Sequence, residues 1–213
     1  MESLVRGGTR WRRFALVMVP SVAATAAIGV ALAQGALAAS FSVSGQEFKV
    51  HADQLNGSGF VQYGTVDVQH DGTGVPVAVS AFKSATITGL CQSVVVPTPI
   101  GKVTLRLTAG NNGKKVQATN LYIDLTQLDA DATFKDINIG VAAGDTNPGY
   151  AVPEASVGKD EKYGGASSFA QEARAAVLTD VDQTAWATSA GTFKLSGLSM
   201  SVKKGSGAKV ECY

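Results

Sequence analysis

The chain has 213 residues, of which 45% are hydrophobic and 16% charged, and its formal net charge at pH 7 is +1. A balance this close to neutral gives no indication of the clustered basic surface that nucleic-acid-binding proteins usually show, so we expect no nucleic acid as a partner. The length suits one domain with a substantial core.

The first 39 residues have the composition of a targeting segment. Four arginines precede a mostly apolar, uncharged stretch over residues 14–39, which is the order found in export signals. Ala36-Leu37-Ala38 offers a cleavage site before Ala39, and Ala31-Leu32-Ala33 offers a second. An uncleaved hydrophobic anchor helix is the alternative, because a membrane-spanning helix needs only about 20 apolar residues.

The chain therefore divides into a signal peptide or N-terminal membrane anchor, residues 1–39, and one extracytoplasmic domain, residues 40–213. We expect that domain to be secreted or tethered to the outer face of the cytoplasmic membrane. Removal of residues 1–39 takes four of the 18 basic and one of the 17 acidic side chains, which leaves 14 and 16 and a net charge of −2.

The remainder of the chain alternates between apolar and polar residues, which is typical of half-buried strands. The clearest segments are Phe48-Lys-Val-His-Ala, Val75-Pro-Val-Ala-Val, Val103-Thr-Leu-Arg-Leu and Leu121-Tyr-Ile-Asp-Leu. Turn signals such as Asp71-Gly72 and Asn112-Gly113 separate them. Ser167–Ala176 is the one stretch that predicts a short helix, and residues 150–165 predict an exposed loop.

Six short segments repeat a pattern in which two apolar residues lie three apart, with a polar residue or glycine before the second. They are Ala52–Leu55, Ile87–Leu90, Ala118–Leu121, Phe134–Ile137, Leu178–Val181 and Leu195–Leu198. Residues three apart cannot share a face of a regular strand, so each copy predicts a bulge or kink. We therefore predict an all-β, mainly antiparallel fold, either a curved, bulged sheet or a two-sheet sandwich, with at most one short helix.

The two cysteines, Cys91 and Cys212, predict a disulfide in a chain that leaves the reducing cytoplasm. The closed loop is long enough to contribute roughly 4 to 5 kcal/mol in the chain-entropy model. A redox-active or metal-binding pair is the alternative, but it lacks a C-x-x-C spacing and a nearby histidine.

Few residues predict catalysis. His51 in a probable strand and His70 beside a turn lack a partner motif, so we interpret them as surface residues. The nearest approach to a G-x-S-x-G nucleophile elbow, residues 165–169, ends in Phe169 instead of glycine. We expect no serine hydrolase activity.

An acidic series over residues 121–139 could do acid-base chemistry or bind calcium, but the calcium-loop pattern is absent. Its members, Asp124, Asp129, Asp131 and Asp136, predict a solvated strand face. Trp186 and Phe193 predict core positions. The sequence thus assigns no catalytic, cofactor-binding or metal-binding residue, and we expect no cofactor.

Several stretches resemble an actinobacterial family of exported envelope proteins of unknown function, often labelled cholesterol esterase. The resemblance covers nearly the whole chain. It rests on Gly8-Thr-Arg-Trp-Arg-Arg-Phe14, residues 19–30, Ser84-Ala-Thr-Ile-Thr-Gly-Leu-Cys-Gln-Ser93, Asn120-Leu-Tyr-Ile-Asp124, Leu128-Asp-Ala-Asp-Ala-Thr-Phe134, Asn147-Pro-Gly-Tyr150, Gln183-Thr-Ala-Trp-Ala-Thr188, Gly191-Thr-Phe-Lys-Leu-Ser-Gly-Leu198 and Cys212-Tyr213. The resemblance implies an envelope component that acts beside a small membrane protein, and it supplies no catalytic residues.

Three functions stay open at the level of sequence. The first is a non-enzymatic envelope protein whose curved sheet binds a lipid-like ligand or a membrane partner. The second is a lipid or sterol esterase, supported by the family label alone, since an acyl-transfer site needs a nucleophile, a base and an oxyanion hole. The third is a surface assembly subunit that pairs through exposed strand edges.

Overall fold

The computed structural model describes residues 44–146 and 167–213, so the predicted targeting segment 1–39 and the predicted loop 150–165 lie outside the described residues. No helix in these two ranges is long and apolar enough to span a bilayer. The strands are β1 (Phe48–Val68), β2 (Gly74–Thr88), β3 (Leu90–Thr98), β4 (Gly101–Ala109), β5 (Val116–Ala142), β6 (Phe169–Lys194) and β7 (Ser199–Lys204), with a 3₁₀ turn at Ala143–Asp145.

All seven strands belong to one antiparallel sheet in the order β2-β5-β6-β1-β3-β4-β7, and β2 also pairs with β1. This additional pairing means that β1, β2, β5 and β6 form a closed ring. Strands β3, β4 and β7 continue the sheet beyond the ring, and we call them the extension. The predicted all-β, antiparallel, curved sheet is confirmed, and the strands form one sheet and not the two of a sandwich.

Left-handed residues occur at the repeated segments that predict kinks, within β5 and β6 and in the β2–β3 and β6–β7 connections. Gly89, Asn120, Asp136, Asp180 and Gly197, each the third residue of a copy, have φ angles between 47° and 71°. A residue in this conformation breaks the strict alternation of a strand, so the apolar residues on either side of it can point the same way. In three of these copies, Ile87–Leu90, Ala118–Leu121 and Leu178–Val181, both apolar residues are buried in one core cluster. The same holds for Ala52–Leu55, although this copy has no left-handed residue.

The predicted helix at Ser167–Ala176 is wrong, because from Phe169 onward this segment is the start of β6. Its alanines and its Gln-Glu pair favour a helix in isolation, but β6 is hydrogen bonded on both sides, to β1 and to β5. Ala170, Ala173 and Ala176 are completely buried. Small side chains are needed here because the neighbouring strands bring aromatic residues over them, as Ala173 pairs with Phe60.

Two apolar clusters build the core. The larger cluster lies inside the ring and includes Leu55, Phe60, Phe82, Leu121 and Leu178. Phe60 packs against both Phe82 and Phe134, with ring centroids 5.3 and 5.1 Å apart. The smaller cluster lies on the outer side of the same four strands, with Tyr63, Val79, Tyr122 and Ala170 among its members and Trp186 packed against it.

Candidate functional site

The extension presents one apolar sheet face. Strand register places Val94 of β3, Leu105 of β4 and Val202 of β7 in one row, and the next row contains Leu107 and Met200. Side chains two apart on a strand point the same way, so both rows share a face. Met200 and Val202 are each 68% exposed and Leu105 is 37% exposed. Exposed apolar side chains in adjacent rows of one face form a patch of the kind that marks an interaction site.

The opposite face of the extension is covered by the chain's own last residues. Cys91 and Cys212 form a disulfide with a Cα–Cα distance of 5.8 Å, in agreement with the pairing predicted from the cysteine count. The backbone N–H of Cys212 donates to Ser93 Oγ at 3.1 Å, and Thr104 Oγ1 donates to the Gly205 carbonyl at 2.7 Å. Because Cys91, Ser93 and Thr104 alternate with the apolar rows, these contacts lie on the polar face, and Leu105, Met200 and Val202 on the other face stay exposed.

Lys49 holds the last residues against this polar face. Its Nζ lies 3.0 Å from Glu211 Oε2, donates to the Tyr213 carbonyl at 3.1 Å, and lies 5.0 Å from the centroid of the Tyr213 ring. A hydrogen bond from the Gly207 backbone N–H, followed by the contact with Lys49, lowers the pKa of Glu211. Glu211 is therefore ionised under ordinary conditions, and the ion pair with Lys49 adds to the disulfide in fixing the tail.

Basic side chains concentrate on the extension. Residues 90–115 and 194–210 contain no Asp or Glu and eight basic residues: Lys102, Arg106, Lys114, Lys115, Lys194, Lys203, Lys204 and Lys209. Three of them lie at one end, where the Gly205 backbone N–H donates to the Lys102 carbonyl at 2.8 Å and brings Lys203 and Lys204 beside the β3–β4 turn. Ile100 in that turn is 83% exposed. Among the described residues, none of these three lysines forms an ion pair.

The ring contains a partly open cavity of about 160 Å³. Side chains from all four ring strands line it, and most are apolar, including Phe60, Phe82, Leu125 and Leu178. An engineered apolar cavity of about 150 Å³ holds one benzene molecule, so this space is far too small for a whole lipid. The expected apolar concavity is therefore largely filled by the core side chains, and its remaining space fits only a small molecule.

Two carboxyl groups meet on the outer side of the ring. Burial, the charge of Asp67 and a hydrogen bond with Asp67 together raise the pKa of Asp124 to about 7. Burial also raises the pKa of Asp67. Two carboxyls in contact cannot both ionise cheaply, so they can share one proton. Burial, and next the nearby charge of Asp124, raise the pKa of Tyr63, which keeps this phenol neutral.

His51 lies between two carboxylates on the polar side of the sheet. Its Nδ1 is 2.7 Å from Asp182 Oδ1 and its Nε2 is 3.6 Å from Asp53 Oδ1. The residue paired with His51 on β3 is Cys91, whose sulfur is committed to the disulfide. Both ring nitrogens thus face carboxylates, and a base in this arrangement has no described serine or cysteine hydroxyl or thiol to activate. His70 is exposed beside the β1–β2 turn.

The acidic series of β5 does not converge on one point. Asp129 accepts a hydrogen bond from Gln127 at 2.6 Å, Asp136 pairs with Arg174, and Asp131 is exposed. In the part of the chain that the structure describes, no three His, Cys, Asp or Glu residues are grouped so that they could hold a metal ion. The solvated-face interpretation fits these three residues, whereas Asp124 is half-buried against Asp67.

Trp186 and Phe193, predicted as core residues, are both half-buried, one against each cluster. The sequence reasoning missed the carboxyl pair and the apolar face of the extension. The sequence predicts the alternation of β4 but not the strand β7, and only the strand order reveals that their apolar sides lie together at the end of the sheet.

Fold and site together define an all-β, disulfide-bonded protein built on a closed four-strand ring with a basic, apolar extension. The chain belongs to a family of unknown function, DUF6230, which matches residues 44–213. No curated protein and no solved structure matches the chain. The expectation of an uncharacterised family is confirmed.

Proposed function

We propose that this protein is an exported, non-enzymatic component of the cell envelope that docks on the anionic surface of a lipid bilayer. The observation that carries the proposal is the exposed apolar face of the extension, with Leu105, Met200 and Val202, and the lysines at one end of the same strands. Apolar side chains that enter the interface and cationic side chains that meet anionic head groups are the two elements of peripheral membrane binding.

The charge distribution supports a lipid surface as the partner. The extension lacks acidic residues, while the ring strands carry Asp53, Asp129, Asp131, Asp180 and Asp182. An anionic surface would therefore attract one end of the molecule and repel the other, which orients the domain before contact. Lys204 pairs with Val103 and lies on the apolar face, whereas Lys102 and Lys203 lie on the polar face at the same end of the strands. Each lysine near such a surface contributes about 1 kcal/mol, so Lys204 contributes about 1 kcal/mol at low salt.

The non-enzymatic part of the proposal rests on the surroundings of His51. Both of its ring nitrogens face carboxylates, and its neighbour Cys91 is in the disulfide. This arrangement supports a structural role for the histidine. It gives no support to the esterase alternative, which needs a nucleophile within reach of the base.

Vesicle co-sedimentation tests the docking face. The protein beginning at residue 40, with its folding checked by urea unfolding, is mixed with vesicles of phosphatidylcholine alone or with one quarter phosphatidylglycerol. We expect binding to the phosphatidylglycerol vesicles that weakens as salt is raised. The double variant Met200→Ser/Val202→Ser should bind roughly 30-fold more weakly, because about 2 kcal/mol of apolar burial is lost.

The matched control is Ile139→Ser, which removes an equally exposed aliphatic side chain, 66% exposed, from β5 of the ring. It should leave vesicle binding unchanged. Equal binding by the double variant and the original protein would refute the docking face. A dimer in solution that the double variant abolishes would instead assign the face to self-association, in line with the assembly alternative.

A further inference from the structure

The cavity inside the ring has a polar wall as well as an apolar one. Gln62, Ser80, Gln171 and Gln183 line it together with the apolar residues. Ser80 is 3% exposed and Gln183 is 6% exposed, so these polar groups are withdrawn from bulk water. A cavity that existed only as a packing defect among apolar residues would need no such groups, because buried polar side chains are costly unless they are satisfied.

The polar side chains form a directed chain of hydrogen bonds. Gln171 Nε2 donates to Gln62 Oε1, and Gln62 Nε2 donates to Ser80 Oγ at 2.8 Å. The hydroxyl of Ser80 thus accepts one hydrogen bond and keeps its own hydrogen, for which the described residues provide no acceptor. That hydrogen is available to a molecule in the cavity.

We propose that the ring binds one small neutral molecule that has an apolar body and a single oxygen, such as an alcohol or a phenol. The volume of about 160 Å³ admits about one benzene-sized body. No charged side chain lines the cavity in the described part of the chain, so a carboxylate or an ammonium ion would be buried without a counter-charge. The oxygen of the ligand accepts the hydrogen of Ser80.

The strand pairing provides an approach to this site. Strand β5 pairs with β2 only as far as Leu125, and beyond that residue it is hydrogen bonded to β6 alone. Leu128 lines the cavity and is 37% exposed, and it lies just past the point where β5 and β2 separate. The register of β5 against β6 is irregular on both sides of this residue. The partly exposed Leu128 therefore marks a place where a small molecule could enter the cavity without unpairing the ring.

The test measures dissociation constants of benzene, phenol and naphthalene by saturation-transfer NMR on the full chain with its disulfide intact. Two variants are compared with the original protein in the same buffer. The hydration of each probe is then the same in every measurement, so differences between dissociation constants report the cavity. Ser80→Ala removes the hydroxyl inside the cavity. The control Ser84→Ala removes an exposed hydroxyl from the same strand, which is hydrogen bonded to Ser58 Oγ at 2.7 Å.

We expect saturable binding of benzene and phenol, with naphthalene at least tenfold weaker because it exceeds the cavity. Ser80→Ala should weaken phenol about tenfold and leave benzene within about twofold, and Ser84→Ala should change neither. Absence of saturable binding by benzene and phenol to the folded protein would overturn the proposal. So would naphthalene binding as tightly as benzene, and this comparison needs no variant. Equal weakening of phenol and benzene by Ser80→Ala would overturn the role of Ser80. The lipid-docking experiment uses other residues, so either proposal can fail alone.

Discussion

Gly57 lies on β1 against the buried ring of Phe82, and Gly57→Ala is the sharpest test of that packing. An ideal Cβ at Gly57 would lie 2.2 Å from Cδ1 and 2.6 Å from Cε1 of Phe82. Phe82 is 2% exposed and packs against Phe60. Its ring would have to move by about 1 Å to restore ordinary contact, and overpacking of this kind costs about 1 to 3 kcal/mol.

Two effects reduce the cost. First, replacing glycine by alanine lowers the conformational entropy of the unfolded chain, which stabilises the folded protein by about 0.4 to 1 kcal/mol. Second, Phe82 can move partly into the cavity that it lines. We therefore expect Gly57→Ala to lower the free energy of unfolding by about 1 to 2 kcal/mol. Gly64→Ala on the same strand is the control, because nothing lies within 4 Å of its added Cβ and its φ is not positive.

Urea unfolding with the disulfide intact measures both variants. Gly64→Ala should be as stable as the original protein or more stable by up to about 1 kcal/mol. If Gly57→Ala were no less stable than Gly64→Ala, Phe82 would not pack over Gly57, and the described interior of the ring would be incorrect.

Two further predictions concern the disulfide and the carboxyl pair. Joint replacement of Cys91 and Cys212 by serine should lower the free energy of unfolding by about 5 kcal/mol, because the disulfide joins residues that are 121 positions apart. A loss below about 1 kcal/mol, measured by urea unfolding, would contradict this. The pKa of Asp124 rises from its ordinary 3.8 to about 7, so the folded state keeps a proton that the unfolded state releases. Stability should therefore fall as pH rises from about 4 to about 7 and then level off, and Asp124→Asn should remove that fall; an unchanged pH profile in this variant would refute the assignment.

The kinks illustrate how much of the fold is local information. Apolar residues three apart in a strand-forming sequence require a break in alternation, and Gly, Asn and Asp tolerate the left-handed conformation best. The local sequence therefore predicts the left-handed conformation of Gly89, Asn120 and Asp180. Gln54, the corresponding residue of the first copy, has no positive φ. A glutamine side chain strongly disfavours the left-handed conformation. At this point of the sheet the left-handed residue is Asp180, on the partner strand β6.

Non-local pairing accounts for what the sequence does not reveal. The helix predicted at Ser167–Ala176 failed because hydrogen bonding on both sides by β1 and β5 outweighs the local preference. The contact of Asp67 with Asp124 depends on β2 lying between β1 and β5, and no spacing pattern in the chain encodes that arrangement. Closure of the ring and the open face of the extension depend on strand order in the same way.

Closure of the ring also determines the order in which the strands can pair during folding. Strands β1 to β4 are consecutive and can pair in the spatial order β2-β1-β3-β4 as soon as residues 48–109 exist, but β6 spans residues 169–194 and is made only after β5. Until β6 arrives, Phe60 and Phe82 on the inner side of β1 and β2 have no cover, and one edge of β1 is unpaired. Such late, long-range pairing is slow and leaves intermediates that are prone to aggregate. The nascent protein should therefore depend on a holding factor, or on a prolonged extended state, for longer than a protein of this size with sequential strand pairing.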